Sequence, residues 1–217
     1  MPTESAKAGQ IIEASKPKGP GHGRAGGIVL ARHGEPALSR KVRLSSRQYR
    51  EWWALYEVGG ILDGQSPPGH LKEAAAKAGV IYTSTRLRAK ETALALAEGR
   101  EFSHEEVFVE APLPPPQCPE FIKLSPKLWG VISRISWWLG HHRGEETRRA
   151  AQARAAEAAR LLDEVAGRGE DVLVVAHGFF NTMIGLELKK LGWRLVKGRG
   201  WRYWSTRYYE RRAARIT

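Results

Sequence analysis

Arg32, His33 and Gly34 follow directly on the apolar run Val29–Ala31, and Glu35 comes next. His177 and Gly178 follow the run Val172–Ala176 in the same way. An imidazole can attack an electrophile or move a proton near neutral pH. A guanidinium beside it can hold an anion through forked, permanently charged donors. Each run reads as a short buried strand that a glycine ends, with a histidine where the chain emerges. The ends of two strands can converge in a parallel α/β sheet, so the two histidines can share one pocket. Taken alone, either His-Gly pair reads equally as a turn residue with a satisfied imidazole.

Strands and helices alternate around these two points. The first strand covers about 28–32, and residues 44–58 suit a helix that Gly59 and Gly60 break. Ser66-Pro67-Pro68 starts a second helix through Ala78, with a proline in its first turn. Val80–Thr83 reads as a strand, after which Ser84 or Thr85 caps a helix from Arg86 to about Glu98. Glu106–Val109 reads as another strand, and Pro112–Pro119 as a loop, because proline cannot continue a helix. Glu145–Ala166 favours helix through its Ala, Arg, Glu and Leu content. Asp171–Ala176 then supplies a buried strand, Phe179–Lys190 a helix, and residues 194–197 and 201–209 strand material near a sheet edge. This order predicts a three-layer α/β/α sandwich with a predominantly parallel central sheet.

Three motifs in this order resemble one known family. Leu30-Ala31-Arg32-His33-Gly34-Glu35 is similar to the opening signature of the histidine phosphatase, or phosphoglycerate-mutase-like, superfamily. Residues 82–93, with Thr83-Ser84, Arg88 and Thr92-Ala93, resemble its second signature, and Val175-Ala176-His177-Gly178 its late one. The resemblance implies phosphomonoester hydrolysis through a covalent phosphohistidine, with phosphoglycerate-mutase-type transfer as the alternative. It assigns the nucleophile to His33, phosphate binding to Arg32, Arg88, His33 and His177, and general acid/base work to Glu110. Arg86 falls on a variable site, and its two-residue spacing from Arg88 predicts that the two point in different directions. Glu35, Ser84 and Asn181 are the expected supporting residues, Ser84 chiefly as a helix cap. Asn181 stands where related proteins often carry an arginine, which weakens any second clamp for an acidic substrate group. Phe108-Val109-Glu110 continues into Ala111-Pro112-Leu113-Pro114 rather than the family's Gly-containing sequence, and that departure can move the carboxylate. The family's chemistry needs no metal or cofactor.

Bulk properties bound the remaining classes. A chain of 217 residues suits one substantial domain, here 28–217, with a variable lid or insertion around 111–143 and a leader over 1–27 read as flexible. The formal charge of +12 favours anionic partners, a small phosphorylated substrate first among them. One cysteine, Cys118, excludes an intramolecular disulfide and fits a reducing, cytoplasmic setting. No stretch is long and apolar enough for a signal peptide or a membrane span. His141 and His142 lack any metal-site spacing and read as a loop, while His70 and His104 read as surface or capping residues. The glycine-rich segment 21–27 precedes a strand and lacks the Lys-Ser/Thr ending of a nucleotide loop. The aromatic and basic segment 201–209 reads as packing rather than a nucleic-acid module. Residues 121–139 form a helix with a broad apolar face that packs as core or lid, faces an acidic membrane or a protein partner, or joins a homodimer.

Overall fold

The computed structural model describes residues 25–198 and 200–211. Most of the 1–27 leader therefore lies outside the described residues. Ala25–Gly27 belong to the folded body, with Gly26 N–H on the Ala166 carbonyl at 2.8 Å and Gly27 N–H on the Asp171 carboxylate at 2.6 Å. In chain order the elements are β1 (Ile28–Arg32), α1 (Ser46–Val58), α2 (Gly69–Lys77), β2 (Val80–Ser84), α3 (Leu87–Ala97) and β3 (Ser103–Glu105). There follow α4 (Pro126–Trp138), α5 (Arg148–Gly167), β4 (Val172–Ala176), α6 (Gly178–Lys190), β5 (Trp193–Gly198) and β6 (Thr206–Arg211).

The six strands form one sheet in the order β3-β2-β4-β1-β6-β5. The first four run parallel, and β6 and β5 add antiparallel strands on the β1 side. Strand β4 is buried along its whole length, as a central parallel strand with both faces covered must be. Alternate residues feed two cores. Ile28, Leu30, Val172 and Val174 pack with the alanine-rich face of α5 and with α6, while Ala31, Leu173 and Val175 pack with Leu71, Ala75, Ala93 and Leu96 of α2 and α3. Register decides where the chemistry lies. Arg32 pairs with Ala176 and His33 N–H bonds the Ala176 carbonyl at 3.0 Å, so His33 and His177 leave neighbouring strand ends together. This is the mouth where α/β sheets bind ligands.

Several boundaries differ from expectation. The strand over Glu106–Val109 is not formed: the strand is the exposed polar Ser103–Glu105, and residues 106–108 make a 3-10 turn that buries Phe108. An edge strand with no apolar face has no hydrophobic alternation to reveal it. The tail's strand starts only at Thr206, since residues 201–204 turn with Trp204 at φ 62° after Gly200 at φ 62°. β6 is an interior strand and β5 takes the edge. Neither Ser84 nor Thr85 is the N-cap of α3; that position is Arg86.

The 121–139 segment starts its helix late, at Pro126 with Ser125 as side-chain cap. One face of α4 is core. Trp129 and Trp137 are fully buried, Trp129 in an aromatic cluster with Tyr49, Trp52 and Tyr56 of α1. The other face carries Leu128, Val131, Ile135, Trp138 and then Leu139, all exposed. Packing thus accounts for half of the apolar residues that the sequence assigns there.

Candidate functional site

His33 and His177 lie edge to face with ring centroids 5.2 Å apart, both buried. His33 Nδ1 is 2.7 Å from the Gly34 carbonyl, which can only accept, so the proton sits on Nδ1 and Nε2 keeps its lone pair. His177 Nε2 meets Ser84 Oγ at 2.9 Å, and the same hydroxyl accepts the Arg86 N–H at 3.3 Å. Ser84 therefore touches the pocket histidine rather than serving only as a helix-end partner.

Two further bonds lock the strand ends. Gly34 N–H donates to Thr92 Oγ1 at 2.9 Å, and that hydroxyl donates to the Arg88 carbonyl at 2.7 Å, so α3 is tied to the turn after β1. Asn181 is buried and donates from Nδ2 to the Ala31 carbonyl at 2.9 Å, which fastens α6 to β1. Gly34 has no room for a side chain, because an added Cβ would lie 2.5 Å from the Trp204 ring.

Both arginines flank the histidines. Arg32 places its guanidinium carbon 4.4 Å above the Tyr203 ring and donates from Nη1 to the Trp201 carbonyl at 2.5 Å. Arg88 is fully buried; its Nη1 donates to the carbonyls of Tyr56 and Glu57 and its Nη2 to the Glu57 carboxylate at 2.8 Å. Arg86 is half-buried and reaches the other Glu57 oxygen at 3.0 Å, so the two arginines converge on one carboxylate instead of diverging. Arg86 sits at the N-cap, before the helical repeat sets its direction. Buried nitrogens remain without a hydrogen-bond partner among the described residues, including Arg32 Nε, Arg88 Nε and His177 Nδ1. A buried donor left unpaired is costly, and an anion is a partner that satisfies several at once.

Glu110 is placed by the start of α6. Its carboxylate accepts from Phe180 N–H at 2.9 Å, Phe179 N–H at 3.4 Å and Ala111 N–H at 3.1 Å. It closes the helix that opens directly after His177, where an acidic group is favoured by the exposed amides. The Glu35 side chain is exposed, while its backbone is held by Gln65 through bonds of 2.8 and 2.7 Å. Sequence reasoning missed Glu57, Arg40, Gln65, Tyr203 and Trp204. Tyr203 lies 5.7 Å from the His33 ring and accepts from Arg40 at 2.8 Å, and Trp204 donates to Gln65 at 3.0 Å. The only sequence signal for the last two was Gly200 before the aromatic run, a turn marker that the strand reading passed over. Among the described residues no group of three or more His, Cys, Asp or Glu side chains is arranged to hold a metal ion.

Both histidines are held well below the ordinary imidazole value. For His33 burial is the main cause, followed by the charges of Arg88 and Arg32, against which the Gly34 carbonyl works. For His177 burial again leads, then Arg88 and His33. Each ring is neutral in the folded chain at pH values where the unfolded chain binds a proton, below about 6.5. Stability is therefore unaffected by these rings above that value and falls as pH drops through it, with a limiting slope of about 1.4 kcal/mol per pH unit for each histidine. Urea titrations between pH 7.5 and 5.5 should show stability falling and approaching this slope at the acid end, with a smaller fall in His177→Gln. A wild-type stability that is flat over that interval contradicts it.

The description "Histidine phosphatase superfamily (branch 1)" matches residues 28–210. Curated protein sequences give no match. Among solved structures, Bacillus stearothermophilus YhfR superposes with a TM-score of 0.51 at 23% identity, over 76% of this chain and 81% of that one. A mycobacterial glucosyl-3-phosphoglycerate phosphatase superposes with a TM-score of 0.50 at 20% identity, over 77% of this chain and 81% of its own. These likenesses extend to the fold.

Proposed function

This chain belongs to the histidine phosphatase superfamily, and on that premise we propose that it hydrolyses phosphomonoesters through a phosphohistidine at His33. The observation that carries the reading is the neutral His33 ring, its Nδ1 proton pinned to the Gly34 carbonyl, set between His177 and the guanidinium groups of Arg32 and Arg88. A lone pair fixed in a field of cations is suited to attack the phosphorus of a dianion.

His33 Nε2 attacks phosphorus, and the bond from phosphorus to the ester oxygen breaks. Arg32, Arg88 and His177 hold the nonbridging oxygens, with Glu57 orienting Arg88 from behind. Glu110 gives the departing alkoxide its proton. Its position supports this, since it lines a cavity together with Arg32 and Gly178. Water then attacks the phosphohistidine with Glu110 as base, and inorganic phosphate and neutral His33 are regenerated. The Glu110 carboxylate also closes α6, so its removal weakens the placement of His177 as well as proton transfer. The single Cys118 fits a reducing setting, and we place the reaction in the cytoplasm, on a small phosphorylated substrate.

Hydrolysis is favoured over mutase-type transfer by Asn181. A mutase must keep its dephosphorylated product for return of the phosphoryl group, and the donor nitrogen of this amide is bonded to the Ala31 carbonyl, leaving only an acceptor oxygen. Purified protein given a phosphoglycerate should release inorganic phosphate faster than it interconverts the isomers. Faster interconversion overturns the preference.

A further inference from the structure

A groove of about 340 Å³ shares Arg32, Glu110 and Gly178 with the proposed centre. Beyond them its lining is largely apolar, with Leu113, Val131, Ile135, Phe179 and Trp201, and its charges are the cations Arg40, Lys127 and Arg134. That volume falls within the range of sites that enclose small ligands. Val131 and Ile135 also belong to the exposed face of α4. Leu128, Val131, Ile135 and Trp138 follow one another at spacings of three and four, and Leu139 lies one turn beyond Ile135, so they form a single stripe. Ile135 is 57% exposed and Leu139 82%, values at which a water-facing apolar stripe calls for a partner.

Exposed Lys123, Lys127, Arg143 and Arg148 outnumber the exposed Glu120 and Glu145 over residues 120–148, with the Arg148 guanidinium carbon 4.8 Å above the Trp138 ring. A second copy docked here by a two-fold axis would bring these cations against each other, which disfavours self-association. Anionic headgroups would neutralise them while the apolar stripe enters the acyl boundary, the pattern of an interfacial helix. A larger cavity that Glu110 also lines, about 630 Å³, sets Glu57, Glu106, Glu145, Glu146 and Glu157 against only Arg86 and Arg154. Glu57 and Glu146 are paired with arginines, yet the excess of carboxylates leaves that lining net negative and repels a phosphate dianion, whereas the net positive α4 groove attracts one.

We propose that the leaving group is a lipid: the protein docks through the exposed face of α4 on an anionic bilayer and takes a phosphomonoester whose apolar chain lies in the groove while its phosphate reaches Arg32 and His33. The proposal rests on the phosphatase reading of the same site. Each methylene moved from water into the groove strengthens binding about fourfold. Dioctanoyl phosphatidic acid should then exceed glycerol 3-phosphate in kcat/KM by about 100-fold or more. The full chain should sediment with vesicles containing phosphatidylglycerol, release as salt rises, and ignore pure phosphatidylcholine.

The double variant Leu128→Glu/Leu139→Glu, changed outside the groove, should lose vesicle binding by about tenfold or more. Its turnover of p-nitrophenyl phosphate should equal that of the wild type, which also reports that it folds. Equal kcat/KM for the lipid and for glycerol 3-phosphate overturns the proposal, and so does vesicle binding that the double variant retains. Dimerisation in sedimentation equilibrium that the double variant abolishes assigns the stripe to a second copy and overturns it too. Vesicle binding with no turnover of any ester, p-nitrophenyl phosphate included, contradicts the phosphatase reading and with it the lipid substrate.

Discussion

His33→Ala should lower phosphate release from p-nitrophenyl phosphate by roughly 10⁴-fold or more, the scale on which an enzyme loses its nucleophile. The side chain is buried, uncharged in the folded state and bonded through Nδ1 to the carbonyl of the next residue. Its removal leaves β1, its register with β4 and the Ala176 bond from the residue-33 amide in place. Circular dichroism and gel filtration of the variant should therefore match the wild type. A folded variant that retains more than a tenth of the activity would exclude a covalent role for this residue.

Arg88→Ala should cost both activity and stability, and Arg86→Ala little of either. Arg88 is fully buried and shares Glu57 with the half-buried Arg86. Truncating the buried partner leaves the Glu57 carboxylate and two backbone carbonyls without their main donor, a loss of about 3–5 kcal/mol for a broken buried pair. The same change removes a donor from the developing phosphoryl charge, for which about 10²–10³ in kcat is the usual scale. Arg86 keeps 38% of its side chain exposed, and its pairing with Glu57 is correspondingly screened. Glu57→Gln separates the two effects, because Arg88 keeps its bonds to the Tyr56 and Glu57 carbonyls and should retain most of kcat. A larger kcat loss in Arg86→Ala than in Arg88→Ala would reverse the assignment of the phosphate ligand.

What could be read from the residues was what depends on local pattern. The apolar runs ending in His33 and His177 predict two strand ends, and the parallel register of Arg32 with Ala176 brings the rings together. The choice of Arg88 over Arg86 as phosphate ligand came from the family resemblance, and in the fold Arg88 is fully buried while Arg86 is half-buried. Their shared carboxylate was not legible, because Glu57 ends α1 and meets α3 only through the tertiary packing of those two helices. Tyr203 and Trp204 were hidden by a chain reversal at positive φ inside an aromatic run that alternates like a strand. Glu110 could be named only through the family resemblance, and its place on the α6 amides depends on where the proline-rich segment after it turns. Strand β3 is polar and exposed, so its pairing with β2 alone marks it. On α4, the apolar count leaves core, lid and outward-facing readings open, and only the three-dimensional arrangement shows which face stays outside.

The most direct test of the account is to look for the intermediate. The protein should be mixed with p-nitrophenyl phosphate, quenched within the first turnover in alkali, where a phosphoramidate survives, and the digested peptides analysed by mass. The account predicts one phosphoryl group on the peptide carrying His33, formed with the burst of p-nitrophenol, lost on acid treatment and absent from His33→Ala. A p-nitrophenol burst with the phosphoryl group on another residue, or turnover with no phosphoenzyme at any quench time, would contradict it.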